Sequence, residues 1–276
     1  MRPILKWAGG KQSLTREIIK LFPEDFPSRS YHEPFFGGGA VFFRIQPKKG
    51  SINDINGKLI NFYKVVREHP RELIQETKQH SYCKETYYEL RERFNIGELD
   101  DIEAAALFLY LNKTAYNGLY RVNSDGKFNV PFGRHINPTI TPEKRILKAS
   151  KLLKNVEILN QDFNYIEGYA EKGDIVYLDP PYQPISETAK FTSYTKEGFN
   201  LMKHRNLRTL CSALDRKGVL FVLSNSFNKQ IEELYTDSSF KINWVSSDRK
   251  ISSKSSTRGP IRELMITNID STCKKK

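Results

Sequence analysis

Asp174-Ile175-Val176-Tyr177-Leu178-Asp179-Pro180-Pro181-Tyr182 is the stretch from which the fold is read. Its first half is apolar, β-branched and aromatic, and follows a Lys172-Gly173 turn, which predicts a short buried strand. Two prolines cannot continue that strand, because neither has the N–H that a ladder needs. The strand therefore stops with Asp179 at its carboxyl end, the end where open α/β sheets bind ligands. The prolines stiffen the backbone and leave carbonyls without a strand partner. A carboxylate, a fixed carbonyl and the Tyr182 ring then converge on one spot. Such a set suits a flat base with an exocyclic amino group: two acceptors take the amino hydrogens and the ring stacks on the base. The competing reading is an ordinary proline turn at a strand end.

Upstream, Tyr31-His32-Glu33-Pro34-Phe35-Phe36 reads as a strand feeding Gly37-Gly38-Gly39 and then a helix from Ala40. A strand, a glycine loop and a helix form a nucleotide-type pocket. The pattern is neither G-x-G-x-x-G nor a P-loop. Ser51-Ile52-Asn53 predicts a second strand ending in Asp54. An acid there can bind ribose hydroxyls, or it can cap a helix from Asn56 onward. Val156 to Leu159 predicts a third strand, after which Asp162 and Phe163 offer an acceptor and an apolar face to an adenine ring. Further strands are expected over 218–223, 240–245 and 263–267, and a long helix over 196–216. The polar segment 183–195 reads as a loop over the pocket. The basic, serine-rich segment 248–262 reads as one that orders against phosphates, and the lysine tail as disordered.

Residues 57–145 break the alternation of strand and helix and are expected to be a mainly helical insertion between a catalytic part formed by residues 1–56 and 146–276. Leu59, Ile60, Tyr63 and Val66 line one predicted helix, and Tyr87, Leu90 and Phe94 another. The apolar run Ala104 to Leu111 predicts a buried one. Within the insertion, residues 116–134 hold an Asn117-Gly118 and an Asp125-Gly126, both hairpin-turn signals, among Arg, Lys, Asn and aromatic residues. A basic, aromatic hairpin can enter a major groove; the alternative is a solvated loop. At the start of the chain, Lys6-Trp7-Ala8-Gly9-Gly10-Lys11 offers a flat ring, two donors and tight backbone geometry, or reads simply as a basic arm.

Composition sets the frame. The chain has 276 residues, 44 basic and 32 acidic side chains and a net charge of +12, which favours a polyanionic partner. No apolar run reaches bilayer length, and the first residues lack a signal-peptide core, so no membrane association is expected. Cys83, Cys211 and Cys273 are far apart and form no C-x-x-C pair, which disfavours a disulfide framework or a structural metal and fits a reducing cytoplasm.

Taken together, Lys6 to Lys11, Phe35 to Gly39, Asp54, Asn117-Gly118-Leu119, Arg121, Phe128 to Pro131, Gly133-Arg134 and Asp179 to Tyr182 resemble the Dam-type DNA adenine-N6 methyltransferases. The likeness extends to the modification enzymes of GATC-specific restriction systems, and it covers nearly the whole chain with the motifs in the family's order. It implies a Rossmann-like α/β sheet of seven strands with a reversed last strand, and an inserted target-recognition domain carrying a β-hairpin. It implies S-adenosylmethionine as methyl donor, surrounded by Trp7, Lys11, Phe35, Phe36, Gly37, Gly39, Asp54, Asp162, Phe163 and Asp179, and no metal. The target adenine is expected to be flipped out of double-stranded DNA. Asp179, Pro180, Pro181 and Tyr182 would form the catalytic motif, with Asp179 and the Pro180 carbonyl holding the amino group and Tyr182 stacking. Lys6, Leu119, Arg121 and Pro131 match positions that read GATC, Asn117 would fill the space left by the base, and Gly133 and Arg134 lie at the phosphate contact. A monomer is expected, with a restriction endonuclease of the same site as a possible partner. The rivals are a different recognition sequence, an RNA substrate, and a DNA-binding protein without catalysis. An RNA substrate gives no reason for a major-groove hairpin.

Overall fold

Two prolines after Leu178 end β4 (Ile175–Leu178), all four residues of which are buried. The computed structural model describes residues 1–181, 199–226, 228–236, 238–248 and 260–270. Tyr182, the expected loop 183–195, most of 248–262 and the lysine tail lie outside them.

Around β4 the described residues form a seven-stranded sheet. The other strands are β1 (Tyr31–Glu33), β2 (Gly50–Asn53), β3 (Glu157–Leu159), β5 (Leu220–Ser226), β6 (Lys241–Asp248) and β7 (Pro260–Thr267). Their order is β3-β2-β1-β4-β5-β7-β6. Pairing is parallel from β3 through β5, and β7 runs antiparallel to both β5 and β6. The expected reversed last strand is present. β1 lies in the middle of the five parallel strands, between β2 and β4, so the strand order turns there and the carboxyl ends of β1, β2 and β4 border one crevice. β1 is shorter than the sequence predicts, because Pro34 ends it and frees residues 34–39 to form the loop over that crevice.

The helices before β3 are α1 (Thr15–Lys20), α2 (Ala40–Ile45), α3 (Gly57–Glu68), α4 (Pro70–Lys78), α5 (Lys84–Ile96), α6 (Asp101–Thr114) and α7 (Glu143–Leu153). α6 is buried from Ala105 to Asn112, as its apolar run predicts, and packs against α3, α4 and α5. The apolar faces expected in α3 and α5 are buried too. One hydrophobic core runs from Ile4 and Leu5 through these helices to Ile175, Tyr177 and Val222 on one face of the sheet. On the opposite face, Val176, Leu178, Phe221 and Leu223 pack with α8 (Tyr165–Tyr169), α9 (Leu201–Lys217) and α10 (Lys229–Thr236). Alternation along β4 and β5 thus sends Tyr177 to one core and Leu178 to the other. α8 and α10 are short and went unread in the sequence.

Cys83 caps α5, its Sγ accepting from Thr86 N at 3.5 Å, and Cys211 is buried in α9. No helix among the described residues is long and apolar enough to cross a membrane.

Candidate active site

At the end of β4, Asp179 Oδ1 accepts two hydrogen bonds. Lys11 Nζ donates at 2.6 Å and Ser224 Oγ at 3.0 Å. Lys11 is buried and also reaches the Gly9 carbonyl at 3.2 Å. Ser224 sits on β5 one step beyond Leu223, which pairs with Leu178, so sheet register places it beside Asp179. Among the described residues no hydrogen bond falls on Asp179 Oδ2. Burial pushes the Asp179 carboxyl above its usual range, while the Lys11 charge and the hydrogen bonds from Lys11 and Ser224 pull it back. Pro180 is buried and Pro181 exposed.

A second acid lies in the same part of the core. Glu33, at the end of β1, accepts from Tyr31 Oη at 2.8 Å. Burial holds its carboxyl well above the ordinary range; the Tyr31 bond opposes that shift and the Asp179 charge reinforces it.

The glycine loop follows β1. Asp54 Oδ2 accepts from Gly37 N and Oδ1 from Asn56 N, both at 2.9 Å. Asp54 therefore braces the loop and is not the cap of α3; that role falls to Asn56, whose Oδ1 accepts from Leu59 N at 3.1 Å. Asn53, the last residue of β2, joins the loops that follow β1 and β3 at the crevice. Its Nδ2 donates to the Pro34 and Gln161 carbonyls at 3.0 Å each, and its Oδ1 accepts from Gln161 N at 2.8 Å. Gly37 has a φ of 49°, and a Cβ there would lie 2.7 Å from Trp7 Cδ1, so both its conformation and the nearness of Trp7 exclude a side chain. Gly39 is the left-handed N-cap of α2. Phe35 stacks on Phe163 with centroids 5.2 Å apart, and Phe199 meets both rings, giving an apolar wall beside the exposed Asp162. Asp162 Oδ1 is held by Asn164 N at 3.0 Å and Asn164 Nδ2 at 2.7 Å.

Phe36 departs from the expected cofactor wall. Its ring is buried against Tyr63 (4.7 Å) and Phe42 (5.4 Å), its N–H donates to Asn53 O, and its carbonyl accepts from Gly39 N. It supports the loop from within the core.

The second group of residues gathers at the N-terminal arm and the segment after α6. The Asn112 side chain accepts from Lys6 N at 3.0 Å and donates to Lys6 O at 2.7 Å and to Gly118 O at 3.4 Å. One buried amide thereby sets Lys6 against the Asn117-Gly118-Leu119 turn. A Cβ on Gly118, whose φ is 64°, would lie 2.4 Å from Lys6 Cδ. Trp7 stacks on Tyr120 (5.4 Å, 19°) and Phe108 (6.3 Å, 30°).

The hairpin differs in part from expectation. Asn117 and Gly118 are both left-handed, and Leu119 N donates to Tyr116 O at 3.2 Å. That is the turn conformation Asn-Gly favours, but here it re-aims the chain after α6 and does not join two paired strands. The reversal itself lies around Asp125-Gly126. There Val122 bridges Phe128, Asn123 N bonds Lys127 O, and Asn129 N bonds Arg121 O. Arg121 Nε donates to Asn129 Oδ1 at 2.8 Å, which orients the guanidinium. α5 grips the returning limb: Asn95 exchanges two bonds with the Phe128 backbone (2.7 and 2.9 Å), and Tyr87 Oη donates to Val130 O at 2.7 Å. Asn117, Pro131 and Arg134 are exposed, Leu119, Arg121 and Gly133 half-buried, and Gly133 N donates to Thr114 O at 2.8 Å.

Asn95, Asn112 and Ser224 carry no role in the reading of the sequence, and Asn53 and Asn129 enter it only as part of a strand and of a motif. Asn112 alone left a signal, as an amide closing an apolar helical run that must find a partner once buried.

Residues 7–251 match the family described as D12 class N6 adenine-specific DNA methyltransferase. Among curated proteins, the Type II methyltransferase M1.LlaDCHI of Lactococcus lactis subsp. cremoris is 43% identical over 275 residues, covering 97% of this chain and 95% of that protein. The Type II methyltransferase M.MjaIII of Methanocaldococcus jannaschii is 41% identical, covering 97% and 99%. The DNA adenine methylase of Escherichia coli K12 is 35% identical, covering 96% and 94%. With that match over most of its length and an acid placed at the mouth of the crevice, the chain belongs to the D12 class of N6 adenine-specific DNA methyltransferases.

Proposed function

We propose that this enzyme transfers a methyl group from S-adenosylmethionine to the N6 amino group of an adenine flipped out of double-stranded GATC. The observation that carries the reading is Asp179, whose Oδ1 is held by Lys11 and Ser224 while Oδ2 takes no hydrogen bond from the described residues. A carboxylate so placed can accept one amino hydrogen, and the Pro180 carbonyl the other. The amino lone pair is delocalised into the ring and is a poor nucleophile. Accepting both N–H bonds lets the nitrogen pyramidalise and aims its lone pair out of the base plane. Positioning and electrostatics then supply the acceleration, without a covalent enzyme intermediate. Tyr182 would stack on the base.

The residues around the crevice fit the methyl donor. Asp54 keeps lone pairs for ribose hydroxyls beyond the two backbone N–H groups it accepts. The Phe35–Phe163 pair offers a face to adenine, and Asp162 has its Oδ2 for the adenine amino group. Trp7, Lys11, Gly37 and Gly39 close the remaining side, and Phe36 supports it from the core. S-adenosylmethionine supplies an electrophilic sulfonium methyl when bound.

For recognition, Lys6, Leu119, Arg121 and Pro131 read the bases, Asn117 fills the gap in the stack, and Gly133 and Arg134 lie along the phosphates. That Asn112 sets Lys6 against the Asn117–Leu119 turn supports this grouping. The enzyme acts as a monomer, with residues 57–145 as the recognition unit.

The test is methyl transfer from labelled S-adenosylmethionine to two short duplexes, one with GATC and one with that site scrambled. Label recovered as N6-methyladenine from the GATC duplex alone is expected. Equal label on both overturns the assignment of the base readers.

A further inference from the structure

Three side chains in a row end at the carboxylate. Tyr177 lies on β4 and Asp179 one residue beyond its end, and the two-residue spacing keeps both on the side that Ser224 Oγ reaches. Ser224 stands beside them on β5. Tyr177 Oη lies 2.8 Å from Ser224 Oγ, and Ser224 Oγ lies 3.0 Å from Asp179 Oδ1. The direction of both bonds follows from the inventory of protons. An ionised carboxylate only accepts, so the Ser224 hydroxyl donates to it. That uses the only proton Ser224 has, so Tyr177 donates to Ser224. Both hydroxyl-bearing residues are almost fully buried, Tyr177 at 1% and Ser224 at 0% exposure, so bulk water has no access to replace either donor.

Lys11 reaches the same oxygen from the N-terminal loop. Its ammonium is a compact charge on a flexible stem and does not by itself fix the rotation of a carboxylate. Ser224 comes from the rigid sheet, with one short side chain and a second hydroxyl orienting its proton. We propose that Ser224, oriented by Tyr177, is a positioning residue that locks the Asp179 carboxylate with Oδ1 inward and presents Oδ2 to the substrate amino group. This rests on the reading of Asp179 as the group that holds that amino nitrogen. The groups facing Asp179 are Lys11 from the N-terminal loop, Glu33 and Tyr31 from β1, and Ser224 from β5. Losing the Ser224 bond removes one of the influences that hold the carboxyl down.

The test compares Ser224→Ala, Ser224→Thr, Tyr177→Phe and Asp179→Ala in the full chain. It measures single-turnover methyl transfer across pH, with duplex and S-adenosylmethionine binding measured separately. Ser224→Ala is expected to slow transfer about 10- to 100-fold, the scale of a small misplacement of a reacting group. Binding should stay unchanged and the acid limb of the rate profile should move to higher pH. Ser224→Thr keeps the hydroxyl and should restore both. Tyr177→Phe keeps the ring packing and should change rate and profile in the same direction by less; it decides the matter if Ser224→Ala does not fold. Wild-type rates and profiles in both Ser224→Ala and Tyr177→Phe, beside an inactive Asp179→Ala, overturn the positioning role alone. Turnover in Asp179→Ala overturns the reading of Asp179, and the positioning role with it.

Discussion

Lys11 and Asp179 are 168 residues apart in the chain and 2.6 Å apart in the fold. The contact fastens the N-terminal loop to the end of β4 and sets a positive charge against a carboxylate that burial alone would drive toward its neutral form. Lys11→Met should send the Asp179 carboxyl further up. Removing one partner of a buried pair costs about 3–5 kcal/mol while the other remains charged. The loss should therefore be full above the raised Asp179 value of the variant, shrink as pH falls through it, and be gone below the wild-type folded value, where both proteins carry Asp179 neutral. Urea titrations of both proteins across pH check this; a loss independent of pH would remove the charge argument.

Trp7 abuts Gly37 on one side and stacks on Tyr120 on the other, so one ring touches both the glycine loop and the hairpin. Tyr120→Ala removes a stacked pair worth about 0.5–1.5 kcal/mol beyond its buried area. It should weaken duplex binding and also the linkage between duplex and S-adenosylmethionine binding. Titration of each ligand with and without the other measures that linkage. An unchanged linkage shows that the stack only fills space.

Asn112→Ala leaves the Lys6 N–H and carbonyl without their partner in the structure. The expected cost is about 1–3 kcal/mol of stability. Methylation of near-cognate sites should rise relative to GATC, because Lys6 and Gly118 lose the amide that sets them together. Urea midpoints and competition between the two duplexes report the effects. A stability loss with discrimination intact would make Asn112 a packing residue only.

Arg121→Ala should cost about 1–3 kcal/mol of discrimination at a single base pair, whereas Arg134→Ala should weaken binding evenly across sequences and lower the salt slope by about one. The difference follows from their settings: Arg121 is held by Asn129, and Arg134 is exposed on a left-handed residue at the rim. Binding isotherms over a range of salt, on single-substitution duplexes, separate the two. Equal behaviour of the two variants would contradict the assignment.

Glu33 has a folded-state value raised well above the ordinary 4.5. Its contribution to stability is thus fully present below about 4.5 and is lost as pH rises through the folded value. Glu33→Gln cannot ionise, so the stability of the wild type should fall relative to that variant over this window. Thermal unfolding of both from acid to neutral pH tests the sign, and parallel curves would show that Glu33 does not titrate there.

What was legible in the sequence was whatever repeats locally. The strand before Asp179, the apolar faces of α3 and α5 and the buried run of α6 each carry a period or an unbroken apolar stretch, and each was found where the pattern put it. Short elements such as α8 and α10 have too few residues to establish a period. The sequence leaves Asp54 as either ribose acid or cap, and only the hydrogen bonds of Asn56 decide that it is not the cap. Phe35 and Phe36 are adjacent and chemically alike, so no local pattern could tell which ring faces the crevice and which the core. Lys11 and Ser224 meet Asp179 through β-sheet register and a loop closure across most of the chain, and such contacts leave no mark on composition or spacing.

The ring that separates the glycine loop from the hairpin is also one of only two tryptophans in the protein, the other being Trp244 on the edge strand β6. Trp244→Phe would leave a single indole chromophore at the junction of the two halves of the crevice. Its emission would respond to a ligand settling on Gly37 and to a hairpin shift that disturbs Tyr120. The fold thus contains an optical reporter, with no added label, for following in real time the order in which the two halves of the crevice are engaged.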